Sequence, residues 1–467
     1  MLGQAFRLVS ASLALVISWS CSSAEPPNIV FIFIDDLGYG DLGVTGNQDV
    51  ATPNIDRLAA DGIRFTQFYV ASPICSPSRV GITTGQYPAR LLIHSYLNSR
   101  ERNRVRGMRD FLDPEAPAIA RSFQRAGYAT AHFGKWHMGG GRDVDDAPLP
   151  SAYGFDESLT SFEGLGDRLL VKDHGLSEQS AALGRGEIRW VQKHQQTEIN
   201  VDRSIDFIRR NKDRRFYLHL WLNDVHDRHA PSEEQLAKFK RFSANPYVQR
   251  FYAVLDEMDR QIGRLIEEID KLGLAERTLI VLTSDNGPTA WPRYYEEGFD
   301  PPGSTAGFRG RKWSLYEGGI RMPLIARWPG KIAAGAVDET SVIAAVDLLP
   351  TFCRLAGIDP PRADLDGEDM SQALLGAPKT RTRPIIWEYG RDETYLRPAF
   401  EDDESPNLAI REGRWKLLVD DDGSRLELYD LGASTQEREN VAEQHPEVAD
   451  RLSNHLLDWR KNLPTLN

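Results

Sequence analysis

The chain is 467 residues long, carries a formal net charge of −12, and is 41% hydrophobic and 27% charged. This is the composition of a globular chain that can bury a sizeable core, as one large α/β domain with an appendage or as a few domains. The acidic balance repels polyanions at long range and argues against a nucleic-acid partner.

The first residues read as a leader. Arg7 supplies a positive start, Leu8 to Trp19 is mostly apolar with Ser10, Ser12 and Ser18 interrupting, and Ser22-Ser23-Ala24 offers small residues for cleavage. The apolar run is too short to span a membrane, and no other segment is a candidate span. A signal peptide at 1–24 is therefore expected; lipidation at Cys21 is the alternative, against which Ser-Trp-Ser stands as a poor lipobox. Only Cys75 and Cys353 then remain, and there is no Asn-x-Ser/Thr acceptor. Both features fit a bacterial periplasmic or secreted protein.

Asn28 to Ile34 (NIVFIFI) is a continuous apolar run, the pattern of a strand buried on both faces, and it ends in Asp35-Asp36. Thr52-Pro53 opens a helix that runs through Ala60 and closes at Gly62. Cys75-Ser76-Pro77-Ser78-Arg79 puts a thiol and a fixed cation beside a helix start, where anions are favoured. Taken alone, it is also open to a plainer reading, a buried Cys before a surface helix. Arg90 to Asp110 is a local basic run containing Arg100, Arg102, Arg104 and Arg106, expected either to flank the cleft or to form a solvated face.

Pro117 to Arg125 reads as a helix closed by Gly127, and Ala129 to Phe133 as a strand leading into Gly134-Lys135-Trp136-His137. Residues 142–195 are polar and poorly periodic and are expected to form loops. Val201 to Arg210 is an amphipathic helix, and Phe216 to Leu222 is a strand ending in Asn223-Asp224-Val225-His226. Apolar residues from Val248 to Ile269 recur at steps of three and four, as in a long one-faced helix. Thr278 to Thr283 is a strand ending in Ser284-Asp285-Asn286-Gly287; a Pro- and Gly-rich loop (288–310) and Arg311-Lys312-Trp313 precede a strand over Leu324 to Arg327.

Alternating strands and helices predict an α/β fold with a mostly parallel central sheet flanked by helices, over 25–376. A linker-like stretch (376–384) then precedes four short strands near 384–389, 408–411, 415–419 and 426–429, with Asp421-Asp422-Gly423 as a hairpin turn and a helix from Pro446 to Arg460. Residues 377–467 are thus expected to form a smaller α+β subdomain with an antiparallel sheet.

Asp35-Asp36, Lys135 and His137, His226, and Asp285-Asn286 all lie just past the carboxyl ends of predicted strands, the edge where open α/β sheets bind ligands. Each alone is open to a plain reading as a turn, cap or loop residue; together they point to one site. Three carboxylates and an amide are hard oxygen donors, suited to Ca²⁺ or Mg²⁺ and less to zinc.

Cys75-x-Pro77-Ser78-Arg79 followed by Thr84-Gly85, and Gly127-Tyr128-Ala129-Thr130 with Gly134-Lys135-Trp136-His137, resemble the two signatures of the type I formylglycine-dependent sulfatases of the alkaline phosphatase superfamily. Thr83 and Phe133 depart from the commoner residues. The resemblance spans about residues 26 to 430 and implies a sulfuric ester hydrolase acting on sulfated carbohydrate. It implies conversion of Cys75 to an aldehyde by a maturating enzyme, and one Ca²⁺ held by Asp35, Asp36, Asp285 and Asn286 together with residue 75. It further implies that Arg79 and Lys135 steady the aldehyde hydrate and that His137 is the base. His226 and Lys312 would contact sulfate and help protonate the leaving alcohol. The segment Asn223 to Pro231 fits the family motif loosely, which leaves His229 as a competitor to His226. The alternatives are a phosphodiesterase or phosphonate monoester hydrolase of the same superfamily, or a non-catalytic sulfoglycan-binding protein with Cys75 unmodified.

Overall fold

A computed structural model describes residues 25–291, 295 and 299–466. The leader-like stretch with Arg7, Cys21 and Ala24 lies outside the described residues.

The strands of the first region are β1 (Asn28–Ile34), β2 (Ile63–Tyr69), β3 (Ala129–Gly134), β4 (Glu157–Thr160), β5 (Arg168–Val171), β6 (Ile188–Val191), β7 (Phe216–Leu222), β8 (Thr278–Ser284), β9 (Arg321–Arg327), β10 (Ala336–Asp338) and β11 (Ile343–Ala344). They form one sheet in the order β10-β2-β9-β8-β1-β7-β3-β4-β5-β6, with β11 beside β2. Every pairing is parallel except those of β9 with β2 and β8. The mostly parallel sheet expected from the alternating pattern is therefore present.

Side chains alternate across the central strand β1. Ile29, Phe31 and Phe33 join one core layer, and Val30, Ile32 and Ile34 join the other, which explains why β1 carries no polar residue between Ile29 and Ile34. The second layer is covered by the helices Pro53–Ala60, Gln196–Asn211 and Pro246–Lys271. The first is covered by Cys75–Thr84, Leu348–Leu355 and the C-terminal region. That region holds β12 (Ile385–Glu388), β13 (Leu408–Glu412), β14 (Trp415–Val419) and β15 (Glu427–Asp430), an antiparallel sheet in sequential order, followed by the helix Pro446–Lys461. Ile386, Ile410, Leu417 and Leu452 from this region belong to the same buried layer as Phe33 and Val80. No helix among the described residues is long and apolar enough to cross a membrane.

The structure corrects the readings of residues 142–195 and of the basic run, and adds strand β2. Residues 142–195 are not all loop, since they contain β4, β5, β6 and the helix Gly175–Ala182. These strands are only four residues long, and β6 leaves Arg189 and Trp190 exposed at the sheet edge, so no period emerges from their sequence. The strand β2 alternates Ile63, Phe65 and then loses step, because the pairing with β9 shifts register between Phe65 and Phe68. The basic run is mostly occupied by intramolecular pairs. Arg90 is bonded to Asp364 and Asp366, Arg100 to Asp110, Asp145 and Asp146, and Arg109 to Asp113. Arg106 is buried over the Tyr96 ring, leaving Arg102 and Arg104 as the exposed pair on the helix Arg100–Val105.

Candidate active site

β8, β1, β7 and β3 are consecutive in the sheet and all run parallel, so their carboxyl ends open on one edge. Asp285 and Asn286 follow β8, Asp35 and Asp36 follow β1, His226 follows β7, and Lys135 and His137 follow β3. The edge is tightly built. A Cβ at Gly134 would lie 1.8 Å from the Trp221 carbonyl oxygen, and the φ of 122° there also requires glycine. This closeness lets the Lys135 N–H donate to the same carbonyl at 2.8 Å. Asp36, His137 and Trp313 adopt left-handed backbone conformations (φ 62°, 52° and 73°), a concentration of non-glycine strain of the kind found at functional sites.

Cys75 is the first residue of the helix Cys75–Thr84, and every residue of that helix is buried. Pro77 therefore stands third in the helix, not at its first position. The thiol Sγ lies 3.5 Å from Asp35 Oδ1 and 3.4 Å from Lys312 Nζ. Burial pushes it up to about 12 despite the nearby Lys135 and Lys312, so as a plain cysteine it is protonated at neutral pH.

The carboxylates and cations interlock. Arg79 Nη2 reaches Asp35 Oδ1 at 3.1 Å and Asp285 Oδ2 at 2.8 Å, while its guanidinium lies over the Phe33 and Trp221 rings. Lys135 Nζ donates to Asp35 Oδ2 at 2.6 Å, and Lys312 Nζ donates to Asp36 Oδ1. The Asp36 N–H donates to Asp285 Oδ1 at 3.0 Å. Burial works against the Asp35 charge, but Lys135, His226, Arg79 and Lys312 hold its carboxyl well below the usual range. Asp285 moves up to about 7 through burial and the neighbouring Asp35 charge, with Arg79 opposing.

Two buried oxygens at this centre, Asp36 Oδ2 and Asn286 Oδ1, have no hydrogen-bond partner. The Asn286 amide points its Nδ2 at Asp36 Oδ1, 2.7 Å away. One ligand atom from each of Asp35, Cys75 and Asp285 lies within 4.8 Å of the others, and the same holds for Asp36, Cys75 and His226. Orphaned hard oxygens among three carboxylates fit a divalent cation of the calcium type.

The structure separates the two candidate histidines. His226 Nε2 lies 3.7 Å from Asp36 Oδ2. His229 turns into its own loop, with Nε2 2.8 Å from the Val225 carbonyl and its ring against Phe251. Burial, with Lys312 nearby, holds the His226 ring well below its ordinary value, and burial does the same to His137 with Lys135 and Arg79 beside it.

Several neighbours carry no signal in the sequence. Lys193 Nζ donates to the carbonyls of His226 (2.7 Å) and Arg228 (2.8 Å) and so holds the loop after β7. Glu163 pairs with Arg142 and faces His137. Both Lys193 and Glu163 come from the 142–195 stretch, where only the β4-β5-β6 extension brings them to the edge. His174, on the same extension, is disfavoured as a cation first by burial and then by Lys193, Arg228 and Arg142. His174 thus lies within electrostatic reach of Lys193, Arg228 and Arg142.

Residues 27–358 match the family model described as Sulfatase, and residues 307–462 match that described as N-sulphoglucosamine sulphohydrolase, C-terminal. The chain is 32% identical over 443 residues to arylsulfatase A of Homo sapiens, covering 88% of this chain and 78% of that one. It is 28% identical to N-acetylgalactosamine-6-O-sulfatase of Bacteroides thetaiotaomicron over 92% of both chains. The structure of Ps i-CgsB in complex with k-i-k-neocarrahexaose superposes with a TM-score of 0.76 at 27% identity, over 94% of both chains. The phosphonate monoester hydrolase of Agrobacterium radiobacter superposes at 0.61 and 21% identity over 94% of this chain and 96% of that one, a likeness of fold alone.

Proposed function

The chain belongs to the sulfatase family and is a sulfuric ester hydrolase, and we propose that it removes sulfate from a sulfated carbohydrate, using an aldehyde made from Cys75 and one Ca²⁺. The observation that carries this reading is the meeting of Cys75 with Asp35, Asp36, Arg79, Lys135, Asp285, Asn286 and Lys312 at one sheet edge. The carbohydrate class is supported by the relatives, one named for N-acetylgalactosamine-6-O-sulfate ester cleavage and one bound to neocarrahexaose.

Asp35, Asp36, Asp285 and Asn286 are the residues that would hold the cation. Ca²⁺ would draw charge from a sulfate oxygen, and the hydrated aldehyde would supply the attacking hydroxyl. Arg79 aligns Asp35 and Asp285 and opposes the rise that burial and the Asp35 charge impose on Asp285. Lys135 and Lys312, both buried, are preplaced positive charges for the charge that builds on sulfate oxygens. His226, beside Asp36, would serve as the acid for the departing alcohol once the anionic ester offsets the Lys312 charge that disfavours its protonation, and His137 would take a proton from residue 75. The protonated thiol of an unmodified Cys75 would be a poor nucleophile in this place, which agrees with a requirement for conversion by a maturating enzyme. Export after removal of residues 1–24 belongs to the same reading.

The test is intact mass and turnover on aryl sulfate for the native protein and for Cys75→Ala. The expected result is an aldehyde at residue 75 and no turnover in the alanine variant. A plain thiol in the native protein would favour a non-catalytic glycan binder. Faster cleavage of phosphonate or phosphate diesters than of any sulfate ester would favour the superfamily's other chemistry.

A further inference from the structure

We infer that Glu163 is the positioning residue that fixes the His137 imidazole in its working tautomer, a role that rests on the base function proposed for His137.

Glu163 lies just after β4 and is 7% exposed. Its Oε2 is 3.5 Å from His137 Nε2, and its Oε1 is 3.0 Å from Arg142 Nε. Neither His137 ring nitrogen has a hydrogen-bonded protein partner, so Glu163 is the group that decides what Nε2 does. The backbone is shaped for this meeting. Both His137 and Glu163 are left-handed (φ 52° and 43°), and the Trp136 and His137 N–H groups both donate to the Phe162 carbonyl at 3.2 and 3.1 Å. The Phe162 ring stands edge-on to the imidazole, with centroids 4.9 Å apart. A Cβ at Gly141 would fall 2.6 Å from Glu163 Cγ, so the chain leaves room for this carboxylate.

A buried imidazole serves as a base only if one nitrogen keeps its lone pair and the other carries the proton. A carboxylate facing Nε2 favours the tautomer with hydrogen on Nε2, leaving Nδ1 basic. Burial raises the Glu163 carboxyl above its ordinary value, and Arg142 on the far oxygen opposes that rise. The ionic neighbours of Glu163 are His137 and Arg142, not the carboxylates assigned to the cation, so it acts through His137.

The experiment uses the full, matured chain with Glu163→Ala, Glu163→Gln and Arg142→Gln. It reads kcat and KM on aryl sulfate and the nitrogen-15 spectrum of labelled histidine, with His137→Gln to assign the ring. Native enzyme should show His137 with hydrogen on Nε2. Glu163→Ala should lower kcat about tenfold or more with KM within about twofold, and should shift His137 toward the other tautomer. Glu163→Gln, whose amide oxygen still accepts from Nε2–H, should keep the tautomer and recover part of kcat. The inference is overturned by hydrogen on Nδ1 in the native enzyme, by a loss confined to KM, or by Arg142→Gln costing as much as Glu163→Ala. Turnover retained in Cys75→Ala would instead overturn the aldehyde chemistry, and the nitrogen spectrum would still report on Glu163.

Discussion

Arg79 Nη2 lies 2.8 Å from Asp285 Oδ2, and neither side chain is exposed to solvent. The same nitrogen reaches Asp35, so one guanidinium ties the ends of β8 and β1. Three carboxylates (Asp35, Asp36, Asp285) face three cations (Arg79, Lys135, Lys312). With Asp285 pushed up to about 7, the carboxylates at most balance the cations before a divalent cation enters, and the centre is positive after it, which suits an anionic ester. Arg79→Lys cannot make both contacts or lie over Phe33 and Trp221. It should cost about 3–5 kcal/mol in chemical unfolding, as breaking a buried pair does, and should remove most turnover. Stability within about 1 kcal/mol of the native chain would contradict this account.

Cation removal should act through the orphaned oxygens. Asp35→Asn removes a charge that Arg79 and Lys135 both face. The variant should bind Ca²⁺ more weakly by calorimetry and lose activity in parallel. Full activity in thoroughly chelated native enzyme would remove the cation from the reading.

The buried His132 gives the stability a defined pH dependence. Burial, with Arg79 nearby, pushes its ring from 6.5 down to about 3, against the opposing backbone of Gly134 and Lys135. The unfolded chain takes up a proton on this ring below about pH 6.5 that the folded chain refuses. Stability is thus fully present above that pH and falls on acidification, by about 1.4 kcal/mol per pH unit for this one group. His132→Phe fits among Trp136, Phe155 and Trp221 and should flatten the fall of the unfolding free energy between pH 6 and 4. An unchanged slope would show that another group sets it.

The cations near the site should divide by position. Lys193→Met removes both carbonyl bonds that hold the His226 loop, so kcat on aryl sulfate should fall at least several-fold. Arg102→Ala with Arg104→Ala lies on an exposed helix face, and aryl sulfate kinetics should be unchanged. The reverse pattern, measured on the same substrate, would restore the basic run to the cleft.

The sheet was legible because β1, β7 and β8 are buried on both faces and contain long apolar runs. Its carboxyl edge was legible because charged residues follow those runs directly, at Asp35, Asp285 and Lys135. What stayed hidden depends on contact and not on period. Glu163 and Lys193 lie just past β4 and β6, four-residue strands whose pairing comes from the backbone. The difference between His226 and His229 is a matter of which way a loop turns. The pairing of Arg100 with Asp145 and Asp146 joins segments that no local pattern connects.

Lys416 on β14, fully buried, bridges Glu317 (3.0 Å) and Glu437 (2.8 Å), and Glu317 also pairs with Arg321 at the start of β9. This lock bears on how the enzyme could be recombined with its relatives. A chimera joined near residue 376 inherits Glu317 and Arg321 from one parent and Lys416 and Glu437 from the other. Where the second parent lacks a lysine at this place, Glu317 keeps Arg321 and Tyr69 on Oε2 but loses the cation on Oε1, in a dry position five residues from Lys312. Grafts that carry Lys416 and Glu437 as a unit avoid that conflict.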